Sequence, residues 1–224
     1  MEILNNLQKD IFRLFPSILE SEHFYLTGGT ALSYFYLKHR RSNDLDFFTA
    51  TEELISPFSY RLEQAMKEKG INTQRQKGLH SFVELLAEKD NEKTVIHLAC
   101  DSPFRLKDLE EFPEYPKLKV DNLVDISANK LLALFGRATL RDFIDIYFLV
   151  KKKKFSLEEL IRNAKTKDPG FDLYWLGVAL ERINTFNKNS PEMLLMLEPV
   201  DFDSLLNFFN QWREKIAESL FQDR

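Results

Sequence analysis

Two aspartates separated by one residue, Asp44 and Asp46, lie inside an apolar run that includes Leu45, Phe47 and Phe48. In a β-strand, residues two apart point to the same face, with roughly 6–7 Å between their Cα atoms. Two carboxylates held side by side repel each other unless a cation lies between them. Mg²⁺ bound by one or two carboxylates plus substrate phosphates is the usual arrangement in phosphoryl-transfer sites. The pair therefore predicts a metal site for phosphate chemistry.

A glycine turn, Gly28-Gly29, precedes this pair and lies between a short apolar run and a segment with helical character. A helix that opens on glycines presents backbone N–H groups to a phosphate, and the missing Cβ atoms let the ligand approach the main chain. Thr30 can cap this helix or donate its hydroxyl to a phosphate. Each motif has an ordinary alternative, since Gly-Gly is a common turn and the aspartates can form a solvated strand face. Their combination indicates a nucleoside triphosphate site.

A second charged segment covers residues 139–150, where the apolar residues follow one face of a helix and Asp142 and Asp145 lie outside it. Thr139-x-x-Asp142 resembles a capping box, and Arg141 can pair with Asp145 four residues later. The two acids therefore serve either the helix itself or the chemistry of the site.

Basic residues in the same half of the chain allow two interpretations. Lys130 and Arg137 fall on one side of the preceding helical segment, where they can face a triphosphate or solvent. The run Lys151–Lys154, with Arg162, Lys165 and Lys167 nearby, can contact an RNA backbone. The run can equally complement a helix C-terminus and add solubilising charge.

The complete pattern resembles the AbiEii/AbiGii toxin family, a branch of the nucleotidyltransferase superfamily with the polymerase-β-like fold. The family pattern is approximately GGTAL, a helix, and then HR-x-S-x-D-[LI]-D, followed downstream by a lysine on a helix and by R-D-x-x-D. This chain supplies the matching residues Gly28 to Leu32, His39, Arg40, Ser42, Asp44, Leu45, Asp46, Lys130 and Arg141 to Asp145. The resemblance covers about residues 24–150.

The resemblance implies a metal-dependent nucleotidyltransferase that binds Mg²⁺ or Mn²⁺ through Asp44 and Asp46. It implies that Lys130 and Asp145 join these aspartates as catalytic residues. It also implies nucleotide binding by Gly28, Gly29, Thr30, Ser42, Lys130, Arg137, Arg141 and Asp142.

The family-like fold also implies a third acidic residue on a strand beside the two aspartates, and the segment TVIHLACDSPF departs from this pattern. His97 stands where an aspartate is expected, and Asp101 follows two alternations later. His97 can coordinate the metal, Asp101 can substitute, or Asp44 and Asp46 can hold the metal alone. His97 can equally be a core histidine with a satisfied hydrogen bond.

The substrates and partners follow from the same resemblance. We expect a nucleoside triphosphate as donor, an acceptor hydroxyl that tRNA or another RNA supplies, and a role as a toxin in a toxin–antitoxin or phage-defence system with a cognate antitoxin. A degenerate relative that binds nucleotide or RNA without catalysis is the second expectation, and an interaction module that uses only the scaffold is the third.

Composition limits the class of protein. The 224 residues are 44% hydrophobic and 29% charged with a net charge of −4, so any nucleic-acid binding requires a local basic patch. The single cysteine, Cys100, excludes an internal disulfide and a cysteine-based zinc site. No apolar run reaches the length of a membrane span, and we expect a cytoplasmic protein without a membrane partner.

The elements predicted from periodicity and turn residues divide the chain into a mixed α/β domain, residues 1–120, and a helical domain, residues 121–224, that contributes to the active-site cleft. Residues 101–120, which contain three prolines, are predicted to be a connecting loop. The expected class is α+β, with strands at 24–26, 44–48, 71–77, 80–88 and 93–100, and helices at 2–20, 30–39, 52–69, 123–135, 139–150, 156–166, 171–187 and 201–221.

Overall fold

The computed structural model describes residues 2–153 and 155–222. Contacts divide the chain into two compact units, Met1–Leu123 and Val124–Arg224. The first unit contains a mixed sheet with flanking helices, and the described part of the second unit is helical, which confirms the predicted α+β class. The division into domains 1–120 and 121–224 with a shared active-site cleft stays a prediction. No described helix combines the length and the apolar character that crossing a membrane requires.

The first unit is built on a seven-stranded sheet in the order β3-β4-β5-β2-β1-β7-β6. The strands predicted before residue 101 are confirmed, with ends that shift by one or two residues. The strands are β1 (Tyr25–Thr27), β2 (Asp44–Thr49), β3 (Asn72–Gly78), β4 (Phe82–Lys89), β5 (Glu92–Cys100), β6 (Glu110–Phe112) and β7 (Tyr115–Val120).

Strand β2 lies at the centre of the sheet, antiparallel to β1 and parallel to β5. The register places Asp46 opposite Thr27 on one side and opposite His97 on the other. Since Thr27 immediately precedes the glycine turn, backbone pairing alone brings the turn, the acidic pair and His97 together.

The two faces of β2 differ in burial, as the alternation of side chains requires. Leu45 and Phe47 are fully buried, whereas Asp44 and Asp46 are half-buried on the opposite face. The predicted placement of both aspartates on one strand face is therefore confirmed.

Aromatic rings fill the covered side of this sheet. Phe15 stacks on Phe47 with 3.8 Å between ring centroids, and Phe58 lies 5.1 Å from Phe15 and 4.2 Å from Phe24. All four rings are at most 2% exposed. This cluster anchors β2 from behind, so the acidic face is supported by a close-packed core.

The helices of the first unit connect to the chemistry-bearing strand. The first helix begins with a capping box between Asn5 and Gln8, and the Gln8 amide also donates to the carbonyl oxygen of Ser42 at 2.9 Å. The predicted helix at 30–39 forms, but it begins at Gly28 and its second half has π geometry, which is rare and frequent at functional sites. The helices are α1 (Asn6–Leu14), α2 (Gly28–Ala31) with its π continuation (Leu32–Leu37), and α3 (Ile55–Glu68).

The prediction of a loop over residues 101–120 is wrong in its second half, because β6 and β7 form there and β7 pairs in parallel with β1. Pro116 and Lys117 argue against a strand here, because proline has no N–H to donate and Lys117 has a φ of +67°. The pairing with β6 shifts register between Glu111 and Phe112, so both residues stay outside the ladder of hydrogen bonds.

The second unit consists of helices around a core that includes Phe143 and Phe209, whose centroids are 4.8 Å apart. The five predicted helices form, although the helix predicted at 171–187 ends at Glu181 and continues as a 3₁₀ turn to Thr185. Of the lysine run 151–154, the first three residues belong to the helix that ends at Lys153, and Lys154 lies outside the described residues. The helices are α4 (Leu123–Arg137), α5 (Leu140–Lys153), α6 (Leu157–Lys167), α7 (Leu173–Glu181) and α8 (Phe202–Gln222).

We predict that Phe58→Ala lowers the free energy of unfolding by about 3–5 kcal/mol, because it removes a fully buried ring and leaves a cavity between two others. Urea denaturation followed by circular dichroism measures the loss. Phe104→Ala is the matched control, since that ring is 48% exposed, and it should change the value by less than about 1 kcal/mol. Equal losses in the two variants would contradict the assignment of the core.

Candidate active site

The glycine turn and the acidic pair are in direct contact. Gly28 has a φ of +72°, a conformation that side chains disfavour, and it opens the α2 helix directly after β1. A Cβ atom at this position would overlap the carboxylate of Asp46, whose Cγ would lie only 2.9 Å away. The space that glycine leaves vacant is thus taken by the acid that the sequence singles out.

The second glycine has a different neighbour. A Cβ atom on Gly29 would lie 2.7 Å from the guanidinium Nη2 of Arg40 and 3.0 Å from the hydroxyl of Ser42. Arg40 is only 2% exposed and donates to the carbonyl oxygen of Arg41 at 2.9 Å. The turn therefore has a carboxylate beside its first residue and a buried cation beside its second residue.

Buried hydrogen bonds fix the turn to the strands around it. Thr30 is fully buried, and its hydroxyl donates to the carbonyl oxygen of Asp44. Thr27 donates to the buried carboxylate of Asp121 at 2.8 Å. Thr30 thus ties α2 to the acidic strand, and the phosphate contact predicted for its hydroxyl stays a prediction.

His97 bridges two acids on adjacent strands. Its Nδ1 lies 2.8 Å from Oδ1 of Asp46, and its Nε2 lies 3.5 Å from Oε2 of Glu84 on β4. The register explains the contact, since Glu84 is paired with His97 and His97 with Asp46. A carboxylate accepts hydrogen bonds, so Nδ1 donates to Asp46. Metal coordination by His97 and a core role for it both stay predictions.

The acids around His97 control its charge. Burial lowers the pKa of the imidazole, but the hydrogen bond and charge of Asp46, with the charges of Asp44 and Glu84, outweigh burial and raise the pKa above its ordinary value. The positive form is therefore favoured, and it offsets part of the negative charge that three carboxylates create on this face.

Asp101 lies just beyond the end of β5 and is held in place by neighbours of the sheet. The hydroxyl of Tyr25 donates to its carboxylate at 2.8 Å, and its backbone N–H donates to the carbonyl oxygen of Thr49 at 2.9 Å. Its substitution for the missing third acid stays a prediction.

The donor set suits a hard divalent cation that arrives with its substrate. Asp44 and Asp46 present two carboxylates on one strand face. Within the described ranges, no cluster of three or more His, Cys, Asp and Glu side chains is arranged as a metal cage. Mg²⁺ needs fewer protein ligands than such a cage provides, because it completes its shell with water and phosphate oxygens. The residues present therefore fit Mg²⁺ or Mn²⁺ shared with a nucleotide.

In the second unit, Lys130 and Asp145 form a buried ion pair with 2.8 Å between Nζ and Oδ2. Asp145 is fully buried, and the Lys130 side chain is only 9% exposed. Because α4 and α5 each supply one partner, this pair fixes the two helices to each other. The catalytic roles of both residues stay predictions.

Asp142 caps its own helix, as the Thr139-x-x-Asp142 pattern predicts. Its carboxylate accepts from the Thr139 hydroxyl at 2.6 Å and makes a bidentate pair with the Arg137 guanidinium, at 2.9 Å for each bond. Burial raises the pKa of Asp142, but the hydrogen bond to Arg137, the charge of Lys130 and the hydrogen bond to Thr139 lower it below its ordinary value. Nucleotide binding by Asp142, Arg137 and Arg141 stays a prediction.

Two residues of this site were not assigned a role from the sequence. Glu84 belongs to an alternating strand in which Val83 and Leu85 are buried, so its position on the same face as His97 is visible only once β4 pairs with β5. In the sequence, Arg40 is recognisable only as part of the HR motif. Its burial beneath Gly29 was unexpected for a charged side chain.

Comparison with known proteins then decides the family. The model of the family described as nucleotidyl transferase AbiEii toxin, type IV toxin–antitoxin system, matches residues 10–220. The chain belongs to the AbiEii nucleotidyltransferase toxin family. An uncharacterized protein of Aquifex aeolicus (strain VF5) is 29% identical over 227 aligned positions, which cover 98% of this chain and 99% of that protein.

Solved structures share the fold. A candidate nucleotidyltransferase from H. pylori superposes with a TM-score of 0.61 at 18% identity, covering 97% of this chain and 95% of its own. MenT4, a nucleotidyltransferase toxin from Mycobacterium tuberculosis H37Rv, superposes with a TM-score of 0.59 at 17% identity, covering 90% and 80%. The expected nucleotidyltransferase-like fold of this AbiEii chain is therefore confirmed.

We predict that Gly28→Ala destabilises this AbiEii protein more than Gly70→Ala does. Both glycines have φ +72°, but a Cβ at Gly70 meets no atom within 4 Å, whereas at Gly28 it overlaps Asp46. Gly70→Ala should cost about 1–2 kcal/mol from backbone strain. Gly28→Ala should cost about 1–3 kcal/mol more, because the acid must move. Urea denaturation measures both, and equal costs would show that Asp46 does not occupy this space.

We also predict that Asp142 makes the unfolding free energy depend on acid pH. Its folded-state pKa is lowered, so its contribution is present above the ordinary aspartate pKa of about 3.9 and is lost as pH falls through the folded value. Asp142→Asn should lower the free energy of unfolding by about 2 kcal/mol at pH 7. From pH 7 toward pH 3, this free energy should decrease less in the variant than in the wild type. Urea titrations at several pH values test this, with the exposed Glu218→Gln as control. Parallel wild-type and Asp142→Asn profiles would refute it.

Proposed function

We propose that the protein is a metal-dependent nucleotidyltransferase toxin that transfers a nucleotide from a nucleoside triphosphate to an acceptor hydroxyl. The observation that carries the proposal is the packing of the Asp46 carboxylate onto Gly28. This contact unites a phosphate-binding turn and a metal-binding acid within one site, which is what a metal–triphosphate complex requires.

The glycine turn is assigned to the phosphates of the nucleotide. The first amides of α2 have no acceptor within the helix, so they can donate to phosphate oxygens. The buried Arg40 guanidinium beneath Gly29 adds positive potential at the same place, and Ser42 lies beside it. A phosphate bound here has to come close to the main chain, and it can do so because Gly28 and Gly29 have no side chains.

Asp44 and Asp46 are assigned to Mg²⁺ or Mn²⁺. The bound ion would neutralise charge on the triphosphate oxygens. Asp46 is oriented by the hydrogen bond from His97, and His97 is in turn held by Glu84. In this arrangement the outer carboxylate positions the imidazole, and the imidazole positions the acid.

The reaction proposed is an in-line displacement at the α-phosphorus. The oxygen of the acceptor hydroxyl forms a bond to phosphorus, the bond to pyrophosphate breaks, and the hydroxyl proton passes to a base. Lys130, Arg137 and Arg141 are proposed to neutralise the negative charge of the leaving pyrophosphate. Asp145 is proposed to act as the ion-pair partner of Lys130. This chemistry depends on positioning and electrostatics.

The acceptor and the biological setting extend the proposal. We propose that tRNA or another RNA supplies the acceptor hydroxyl. We also propose that the protein acts as a toxin in a cytoplasmic toxin–antitoxin or phage-defence system, with a cognate antitoxin as its partner. Membership of the AbiEii toxin family supports these assignments.

One observation favours a second function, nucleotide or RNA binding without transfer. His97 stands beside Asp46 at the position where the family-like fold implies a third acid, and its donated hydrogen bond occupies one oxygen of the carboxylate. A site with this substitution can retain a nucleotide while it lacks the base that accepts the hydroxyl proton.

We predict that the protein incubated with Mg²⁺ or Mn²⁺, each radiolabelled nucleoside triphosphate in turn, and total RNA transfers label to RNA. Asp46→Asn should lower this transfer by about 100-fold or more, because it removes a metal-binding charge. Gel electrophoresis of the RNA measures the label, and sequencing of labelled species identifies the acceptor.

Asp90→Asn is the matched control, since it makes the same chemical change at an exposed position in the turn between β4 and β5. Transfer that persists in Asp46→Asn would exclude the proposed role of this acid. Nucleotide binding without transfer in the wild type would favour the second function, and the absence of both would exclude the site.

A further inference from the structure

The helical unit contains a groove that the nucleotidyltransferase site does not use. The groove has a volume of about 560 Å³ and lies between α6 and α8, with the start of α7 at one side. All of its lining residues belong to the second unit.

The walls of the groove follow helical spacing. On α6, Leu157, Ile161 and Lys165 are four residues apart, and on α8 the lining residues extend from Trp212 to Ser219. Positions four apart lie along one side of a helix, so each wall is a continuous stripe. The α6 wall is about 15 Å long at 1.5 Å per residue, which matches about three turns of a second helix.

The floor of the groove is apolar. Leu157, Ile161, Leu173 and Ile216 line it together with Trp212, whose side chain is nearly buried at 2% exposed. An open groove with such a floor favours a ligand with an apolar face, because burial removes that face from water.

The rim of the groove carries mainly positive charge. Arg162, Lys165 and Lys215 lie along it and are exposed, and Glu158 is its acidic residue. Within the described residues, none of the three cations is within ion-pair distance of an acid. Charge complementarity therefore selects an occupant that is acidic beside its apolar face.

An acidic protein helix and RNA would both complement the positive charge of the rim. The apolar floor of the groove favours one of them. RNA binds such surfaces through its phosphates and through bases that stack on exposed aromatic faces. The Trp212 ring is too buried to offer such a face, and the remaining floor is aliphatic. An aliphatic trough with a charged rim instead matches the recognition of an amphipathic helix.

We propose that the α6–α8 groove is a docking site for an amphipathic helix of a partner protein, whose aliphatic face enters the groove and whose acidic flanks meet Arg162, Lys165 and Lys215. The acidic Glu158 near the start of α6 would favour one orientation of that helix. The proposal concerns binding alone and does not depend on nucleotidyl transfer.

The test uses the full chain and two fluorescent synthetic peptides of about 14 residues, a length that exceeds the groove. Both carry leucines at helical i, i+3, i+4, i+7 spacing, with glutamates flanking the leucines in one peptide and lysines in the other. A single-stranded RNA of about 12 nucleotides is the third probe. Fluorescence anisotropy measures the dissociation constant of each.

We expect the glutamate peptide to bind at least about tenfold more tightly than the lysine peptide, and we expect RNA binding to be unchanged by substitutions in the groove. The double variant Lys165→Glu, Lys215→Glu should remove this preference, whereas Lys188→Glu, an exposed charge reversal outside the groove, should retain it. Urea denaturation verifies that each variant is folded. The absence of peptide binding, equal binding of the two peptides, or RNA binding that is lost in the Lys165→Glu, Lys215→Glu variant would overturn the proposal.

Discussion

The site depends on one packing constraint, the contact between the Asp46 carboxylate and the backbone of Gly28. A strand and a turn approach this closely only when one of them has no side chain, and Gly28 also has the positive φ that brings the chain sharply into α2. The carboxylate therefore lies beside the residue that opens α2, a helix whose first amides have no acceptor within the helix itself. The glycine turn, which we propose binds phosphate, and Asp46, which we propose binds the metal, are adjacent because Gly28 has no Cβ atom.

The central position of β2 has electrostatic consequences on both sides. On one side, β1 carries Thr27 and leads into the glycine turn. On the other side, β5 places His97 beside Asp46, and β4 places Glu84 beside His97. Three acids on one face would repel each other, and, against the effect of burial, they raise the pKa of the imidazole that lies between two of them. His97 thus joins Asp46 and Glu84 in a connected polar network across three strands, at the position where the resemblance implies a third acid.

In the helical unit, aspartate, lysine and arginine side chains have structural roles that are separate from any catalytic role. Asp125, Asp142 and Asp145 are fully buried, and each has a basic partner, Lys167, Arg137 and Lys130 respectively. The Lys130–Asp145 pair is buried on both sides, so removal of one partner leaves an uncompensated buried charge and costs about 3–5 kcal/mol. Loss of activity after substitution at Lys130 or Asp145 therefore has to be interpreted together with measured stability.

The sequence by itself determined the family, the strand that carries Asp44 and Asp46, and the glycine turn, and it gave the helix cap as one of two roles for Asp142. These features depend on local spacing and on residue type, which are complete in the sequence. Tertiary structure alone decided that Asp46 fills the space beside Gly28, that Glu84 supports His97 and that a proline-containing strand joins the sheet beside β1. Such contacts join residues distant in the chain, and they depend on strand order and register, which no local pattern encodes.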